Sequence, residues 1–60
     1  MVKILICDDD PTFAQSMFKR ILSLPAYSSK SMKLSYLTDI AEMSANTIAQ
    51  YDILFLDIDL

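Results

Sequence analysis

Two short apolar segments, each followed at once by aspartate, are the feature of this sequence that most limits its fold. The second segment, residues 53–56, is an unbroken run of large apolar side chains, with Asp57 directly after it and Asp59 two residues further on. A short continuous run of this kind predicts a strand that is buried on both faces of a sheet. A carboxylate at the end of such a strand lies at the carboxyl edge, where open α/β sheets bind ligands.

The N-terminal segment repeats this arrangement. Residues 2–7 are mainly apolar and predict another strand, which is followed by Asp8, Asp9 and Asp10. If the two strands are parallel neighbours, up to five aspartates gather at one edge of the sheet. Carboxylates in a small volume repel one another unless they share a cation or a proton. The sequence therefore predicts a cation-binding edge.

The charge balance argues against several classes of function. The 60 residues allow one domain at most, and they carry a net charge of −3 with only five lysines and arginines. Nucleic-acid and anionic-membrane surfaces need clustered basic residues, so we expect no direct nucleic-acid binding and no membrane attachment. The apolar runs are too short to cross a bilayer and the N-terminus lacks the pattern of a signal peptide, so we expect a cytoplasmic protein.

Missing residue types narrow the chemistry further. The chain has no glycine, which excludes a phosphate-binding P-loop and a dinucleotide fingerprint. It has no histidine and a single cysteine, Cys7, which excludes zinc sites, histidine bases and an internal disulfide. Carboxylates, hydroxyls and a few lysines remain, and the metal ions that suit them are hard cations such as Mg²⁺ or Ca²⁺. Cys7 itself is expected to be a buried small hydrophobe.

A helix is predicted for residues 11–24, between the first strand and Pro25. Asp10 is placed to cap it, and Pro11 suits its first position, where a missing N–H costs nothing. Its apolar stripe consists of Phe13, Ala14, Met17, Phe18, Ile21 and Leu22. This spacing is typical of a helix that packs on a sheet. A polar, serine-rich loop follows in residues 26–31.

The middle of the chain predicts a second strand and a second, weaker helix. Residues 33–38 alternate in polarity, which indicates a strand nearer the sheet edge. Residues 40–50 predict the helix, with Asp39 and Glu42 spaced as in a capping box. The element order is then β-α-β-α-β, and such alternation predicts an α/β fold with a parallel sheet and right-handed crossovers.

The two aspartate-terminated segments carry a family resemblance. ILICDDDP at residues 4–11 and YDILFLDIDL at residues 51–60 resemble the first and third strands of two-component response-regulator receiver domains. The resemblance spans residues 1–60 but only about the first half of a receiver. It implies a partial receiver domain with a flavodoxin-like parallel sheet of strand order 2-1-3, truncated after the third strand. Both motifs are also similar to receivers that are joined to LytTR-type DNA-binding domains.

Under this resemblance the aspartates have distinct roles. Asp57 matches the phosphoacceptor, and Asp8 and Asp9 match the acidic pair that binds Mg²⁺ together with Asp57. Asp9 would contact the metal directly and Asp8 through water, and Asp59 would supply its backbone carbonyl. The expected partner is a sensor histidine kinase, and the chain is expected not to be an enzyme. The chemistry agrees, because a carboxylate oxygen can attack phosphorus to form an acyl phosphate, and phosphoryl transfer depends mainly on charge neutralisation.

Receivers also carry a hydroxyl residue after their fourth strand and a lysine after their fifth, and both positions lie beyond residue 60. We therefore expect the 60-residue chain not to signal alone and to accumulate little stable phosphorylated product. The last strand, predicted for residues 53–58, would also expose an apolar outer edge, which is a template for pairing with another chain. This predicts a homo-oligomer formed through Ile53, Phe55 and their neighbours.

Two other functions remain open from the sequence. LFLDID at residues 54–59 resembles the start of the haloacid-dehalogenase phosphatase motif, in which Asp57 would be the nucleophile and Asp59 the general acid. That motif normally lies on a first strand, and it leaves Asp8 and Asp9 unexplained. A structural, oligomer-forming fragment without phosphoryl chemistry is the third alternative. The residues that follow Leu60 in a longer chain would separate these alternatives.

Overall fold

The computed structural model describes residues 1–57, except for the side chain of Ile40. Its elements in chain order are β1 Val2–Asp8, α1 Pro11–Leu22, β2 Met32–Leu37, a short 3₁₀ turn Ile40–Glu42, α2 Ala45–Ile48 and β3 Ile53–Asp57. The predicted β-α-β-α-β order is confirmed. Strand boundaries differ from the predicted ones by a residue, because β1 extends to Asp8 and β2 begins at Met32.

The three strands form one parallel sheet in the order β2-β1-β3, which confirms the α/β fold and the 2-1-3 order. In the register, Ile4 of β1 pairs with Leu34 on one side and with Ile53 on the other. The central strand is the most buried part of the chain, and its Leu5 and Cys7 are 0 % exposed. A strand with neighbours on both sides satisfies its backbone groups within the sheet, so a continuous apolar run is stable there.

One face of the sheet is covered by α1 over β1 and β2. Ile4, Ile6 and Leu34 form the buried cluster, and Phe18, Ile21 and Tyr27 pack against it. The rings of Phe18 and Tyr36 meet edge to face, with centroids 5.2 Å apart and planes at 67°. This is a favourable aromatic geometry, and it fixes the helix over the β1–β2 half of the sheet.

Asp10 and Pro11 start α1 as predicted. Asp10 Oδ1 accepts hydrogen bonds from the N–H groups of Thr12 at 2.9 Å and Phe13 at 3.4 Å. The helix ends at Leu22 rather than at Leu24. Leu24 precedes Pro25, and a residue before proline is disfavoured in the helical region, so the chain leaves the helix earlier than the apolar pattern suggested.

Replacing Asp10 with alanine should lower the free energy of unfolding by about 1 kcal/mol, because two N–H groups at the helix start lose their acceptor. Asp10→Asn keeps an acceptor oxygen and should stay within a few tenths of a kcal/mol of the original chain. Urea unfolding followed by circular dichroism measures both variants. Equal losses for alanine and asparagine would show that the charge of Asp10, and not its capping bond, is what matters.

The prediction of one helix over residues 40–50 is wrong. The segment forms a 3₁₀ turn and then one turn of helix, α2, that starts after Ser44. Asp39 does not form the predicted capping box, because its side chain accepts from Ala41 N–H while Glu42 N–H donates to the Asp39 backbone carbonyl. Ser44 accepts from Thr47 N–H at 3.1 Å and begins a new helix in the middle of the predicted one. Serine competes with helical hydrogen bonds in this way, which is why it interrupts the segment.

β3 is less buried than its apolar run predicts. Ile53 is 43 % exposed, Phe55 44 % and Leu56 60 %, although large apolar residues usually lie inside. The cause is topological: within residues 1–57, β3 pairs only with β1, and α1 lies over the other half of the sheet. Ile58, which the prediction included in this strand, lies outside the described residues. Neither helix of the described chain has the length and apolar content needed to span a membrane.

Candidate functional site

Asp8 and Asp57 are the last residues of β1 and β3, and the register pairs them directly. Paired residues of neighbouring strands point to the same face of the sheet. Ile4, Ile6 and Asp8 are every second residue of β1 and therefore share one face of the sheet. Because Ile4 and Ile6 pack against α1, both carboxylates lie on the α1 face. The structure thus brings together two of the predicted site residues at the carboxyl edge.

The two carboxylates differ in environment. Asp8 is 6 % exposed, and its Oδ1 accepts a hydrogen bond from Asp10 N–H at 2.9 Å. A buried carboxylate needs such a donor, because burial without one is costly. Asp57 is exposed at the end of β3. The Asp8 carboxylate, oriented by its hydrogen bond, is suited to organising the site, while the exposed Asp57 carboxylate is accessible to a reactant.

A pair of hydrogen bonds at the opposite end of β3 supports this register. Lys3 N–H donates to Asp52 Oδ2 at 2.8 Å, and Asp52 N–H donates to the Lys3 carbonyl at 2.7 Å. Asp57 lies five residues after Asp52, just as Asp8 lies five residues after Lys3. A slip of one residue would turn Asp57 to the other face of the sheet, so fixing the start of the strand helps to fix its end. The sequence pattern by itself assigns Asp52 no such role.

Of the other predicted ligands, Asp9 is not grouped with this pair in the described part of the chain. Asp9 is exposed in the loop after β1, and Asp59 lies outside the described residues. Among residues 1–57, no three aspartate, glutamate or cysteine side chains lie close enough together to hold a metal ion. Asp8 and Asp57 nevertheless fit Mg²⁺ in chemistry, because this ion favours oxygen ligands and is commonly held by one or two carboxylates with several waters.

A groove opens beside the aspartate pair, between β3 and one flank of α1. It has a volume of about 180 Å³ and is lined by Asp8, Phe13, Ser16, Met17, Arg20 and Asp57. One water needs roughly 10–15 Å³ of such space, so the groove has room for a small solvated ion. Sequence reasoning missed Ser16 and Arg20. The signal was available, since residues 13, 16, 17 and 20 share one helix face by their spacing.

A second groove, of about 160 Å³, continues from the first along β3 and is mainly apolar. Asp8, Met17 and Asp57 line both grooves, and Phe55 and Leu56 extend the second one along the strand. The site is therefore polar at the carboxyl edge and apolar behind it. An apolar wall lowers the local dielectric, which strengthens electrostatic interactions at the polar end.

Cys7 also lines the second groove, but it is not a reactive thiol. Burial raises the pKa of the Cys7 thiol above its ordinary value of 9.0. The protonated thiol is favoured in the folded state, so its contribution to stability is complete below about pH 9 and is lost as the pH rises toward the higher folded-state pKa. The thiolate is the reactive form, so Cys7 is a structural residue at neutral pH.

Alkylation of Cys7 by iodoacetamide should be slow in the folded chain and should rise with a midpoint above pH 9.0. The same chain in denaturant should react faster, with its midpoint near the ordinary value of a cysteine. Mass spectrometry of samples quenched at intervals measures both rates. A folded chain that reacts at neutral pH as fast as the denatured one would contradict the burial of this thiol.

Comparison of the chain with models of protein families, with curated proteins and with solved structures gives no significant match.

Proposed function

We propose that this chain is the phosphoryl-accepting part of a response-regulator receiver domain and that Asp57 is the acceptor. The observation that carries the proposal is the direct pairing of Asp57 with the buried Asp8 at the carboxyl edge, beside an open groove. Edges of this kind are where parallel α/β sheets bind ligands. The motifs in residues 4–11 and 51–60 support the same function by resemblance.

The proposed reaction forms one bond and breaks one. A carboxylate oxygen of Asp57 forms a bond to phosphorus, and the bond between phosphorus and the donor's leaving group breaks. The leaving group departs with the electron pair of the broken bond, and an acyl phosphate remains on Asp57. The donor would be the phosphohistidine of a sensor histidine kinase or a small acyl phosphate. The transfer modifies Asp57 itself, so the chain is a phosphoacceptor and not an enzyme. Hydrolysis of the acyl phosphate by water releases inorganic phosphate and returns the Asp57 carboxylate, which allows more donor to be consumed.

The proposal includes Mg²⁺, which the paired Asp8 and Asp57 would hold with water ligands. By the family resemblance, Asp9 from the loop after β1 and the Asp59 backbone carbonyl would join this set. When bound, Mg²⁺ supplies positive charge beside the transferred phosphoryl group. The hydrogen bond from Asp10 N–H to Asp8 Oδ1 orients the Asp8 carboxylate for this role. Asp57 contributes the exposed oxygen that attacks phosphorus.

Incubation with labelled acetyl phosphate and Mg²⁺ tests the proposal. We expect the donor to be consumed only when Mg²⁺ is present. We also expect a low level of adduct that carries one phosphoryl group and is removed by hydroxylamine. The level should stay low, because none of residues 1–60 matches the lysine that receivers carry after their fifth strand. Donor consumption equal to that of a buffer blank would contradict the proposal.

The exposed apolar side chains of β3 favour a second proposal, that the 60-residue chain forms a homodimer through this strand. Ile53 and Phe55 alternate with Leu54, so they lie on the same face of the sheet, next to the uncovered flank of α1. Within residues 1–57 the outer edge of β3 has no strand partner. Unpaired apolar edges readily pair with another chain, and a second copy offers a matching edge.

A further inference from the structure

We propose that Arg20 is the anion-binding residue of this site and that its guanidinium binds the phosphoryl group carried by Asp57. The inference rests on the proposed function and deepens it, because it names a positive charge within residues 1–57. Arg20, Ser16 and the two aspartates line one groove of about 180 Å³. Residues that carry a guanidinium, a hydroxyl and two carboxylates thus line one small space, and this set of groups suits a tetrahedral oxyanion held next to a carboxylate.

The helix geometry explains how Arg20 reaches this groove. α1 begins near the carboxyl edge with Pro11 and runs away from it, so Arg20 lies near the far end. Side chains of a helix point back toward its N-terminus, and a long side chain covers the preceding turn. This general direction lets the Arg20 side chain reach over the turn that contains Ser16 and Met17, and all three residues line the groove together with Asp57.

Charge gives the guanidinium its role in this groove. Asp8 and Asp57 already bring negative charge to the edge, and a phosphoryl group on Asp57 adds more. Guanidinium groups pair with phosphate oxygens through two parallel N–H bonds, and such charge-assisted bonds are stronger than neutral ones. The Ser16 hydroxyl, one helical turn before Arg20, can donate another bond to the same group.

Lys19 provides a matched control. It carries the same charge, precedes Arg20 in α1 and is exposed, but it lies outside the residues that line the groove. Consecutive helix residues are turned about 100° from each other, so the two side chains leave the helix in different directions. Lys19→Gln and Arg20→Gln change the net charge equally, and only Arg20→Gln removes a group from the groove.

Phosphate binding is measured on chains that also carry Asp57→Asn, which removes the acceptor and makes the result independent of phosphoryl transfer. Inorganic phosphate is titrated in the presence of Mg²⁺ and followed by NMR shifts of backbone amides near Ser16 and residue 57. Arg20→Gln should weaken phosphate binding roughly tenfold, as expected for a charge-assisted bond that is partly exposed. Lys19→Gln should change it less than about twofold, since surface charges act weakly. Arg20→Lys should fall between them.

Equal effects of Arg20→Gln and Lys19→Gln, or no phosphate binding by the Asp57→Asn chain, would overturn the proposal. A second readout is the rate of acetyl phosphate consumption by chains that keep Asp57, which Arg20→Gln should lower about tenfold and Lys19→Gln should leave unchanged. If Asp57 accepts phosphoryl groups and this rate is the same in both variants, only the role of Arg20 fails. If no transfer occurs but phosphate binding depends on Arg20, the proposed function fails and the anion site stands.

Discussion

Replacing Asp57 with asparagine should abolish phosphoryl transfer to this chain. An amide is not a nucleophile for phosphorus, so the acyl phosphate cannot form, while the similar size of asparagine leaves β3 unchanged. Intact-mass analysis after incubation with acetyl phosphate and Mg²⁺ should show no adduct. Donor consumption should fall to that of the buffer blank, which is a loss of all activity rather than a partial one.

Asp10→Asn is the matched control for this experiment. It makes the same chemical change at the same edge of the sheet, and it keeps an oxygen to cap α1. We expect it to retain transfer at the rate of the original chain, because Asp10 serves the helix start rather than the groove. Loss of transfer in both variants, or in neither, would contradict the assignment of Asp57 as the acceptor.

The second large effect is expected for Phe55→Lys in the proposed dimer. Phe55 is 44 % exposed, and pairing of two β3 strands would cover much of that surface in both copies. Losing this contact twice costs about 2 kcal/mol per dimer, or roughly a thirtyfold weaker association, and burying the lysine charge adds to the loss. Analytical ultracentrifugation at micromolar concentration should show a dimer for the original chain and a monomer for the variant.

The geometry of such a dimer is consistent with its charges. Two β3 strands that pair antiparallel about a two-fold axis extend the sheet and place their Ile53 and Phe55 side chains next to each other. The two Asp8–Asp57 pairs then lie at opposite ends of the joined sheet, which avoids repulsion between them. Leu24→Lys is the control, since Leu24 is exposed just after α1, away from β3. A folded monomer of the original chain, or equal disruption by both variants, would contradict this assembly.

Strong local signals in the sequence predicted the order of the elements, while the strand order 2-1-3 was implied by the family resemblance. Residues 2–7 and 53–56 are apolar runs too short for helices, and Asp10 with Pro11 marks a helix start. The prediction of one helix over residues 40–50 failed because the helix signals in this segment are weak and compete with one another. Asp39 and Ser44 each cap their own short turn, and local hydrogen bonding decided between one helix and two.

The sequence also predicted one part of the candidate site, and the tertiary structure decided the other. The sequence named Asp8, Asp9, Asp57 and Asp59 from their positions after apolar runs, because a strand end fixes where a carboxylate lies along the chain. That pattern does not determine the distances between side chains on different strands. The tertiary structure decided that Asp8 pairs with Asp57 while Asp9 stands apart from them.

The spacing within α1 groups Arg20 with Ser16 on one helix face, but it does not place that face beside Asp57, which lies 37 residues later. Both residues line one groove because α1 packs on the β1–β2 half of the sheet and leaves β3 uncovered. The exposure of β3 has the same origin. Hydrophobic pattern determines which residues form a strand, but the packing of the helix and the number of neighbouring strands determine whether that strand is covered.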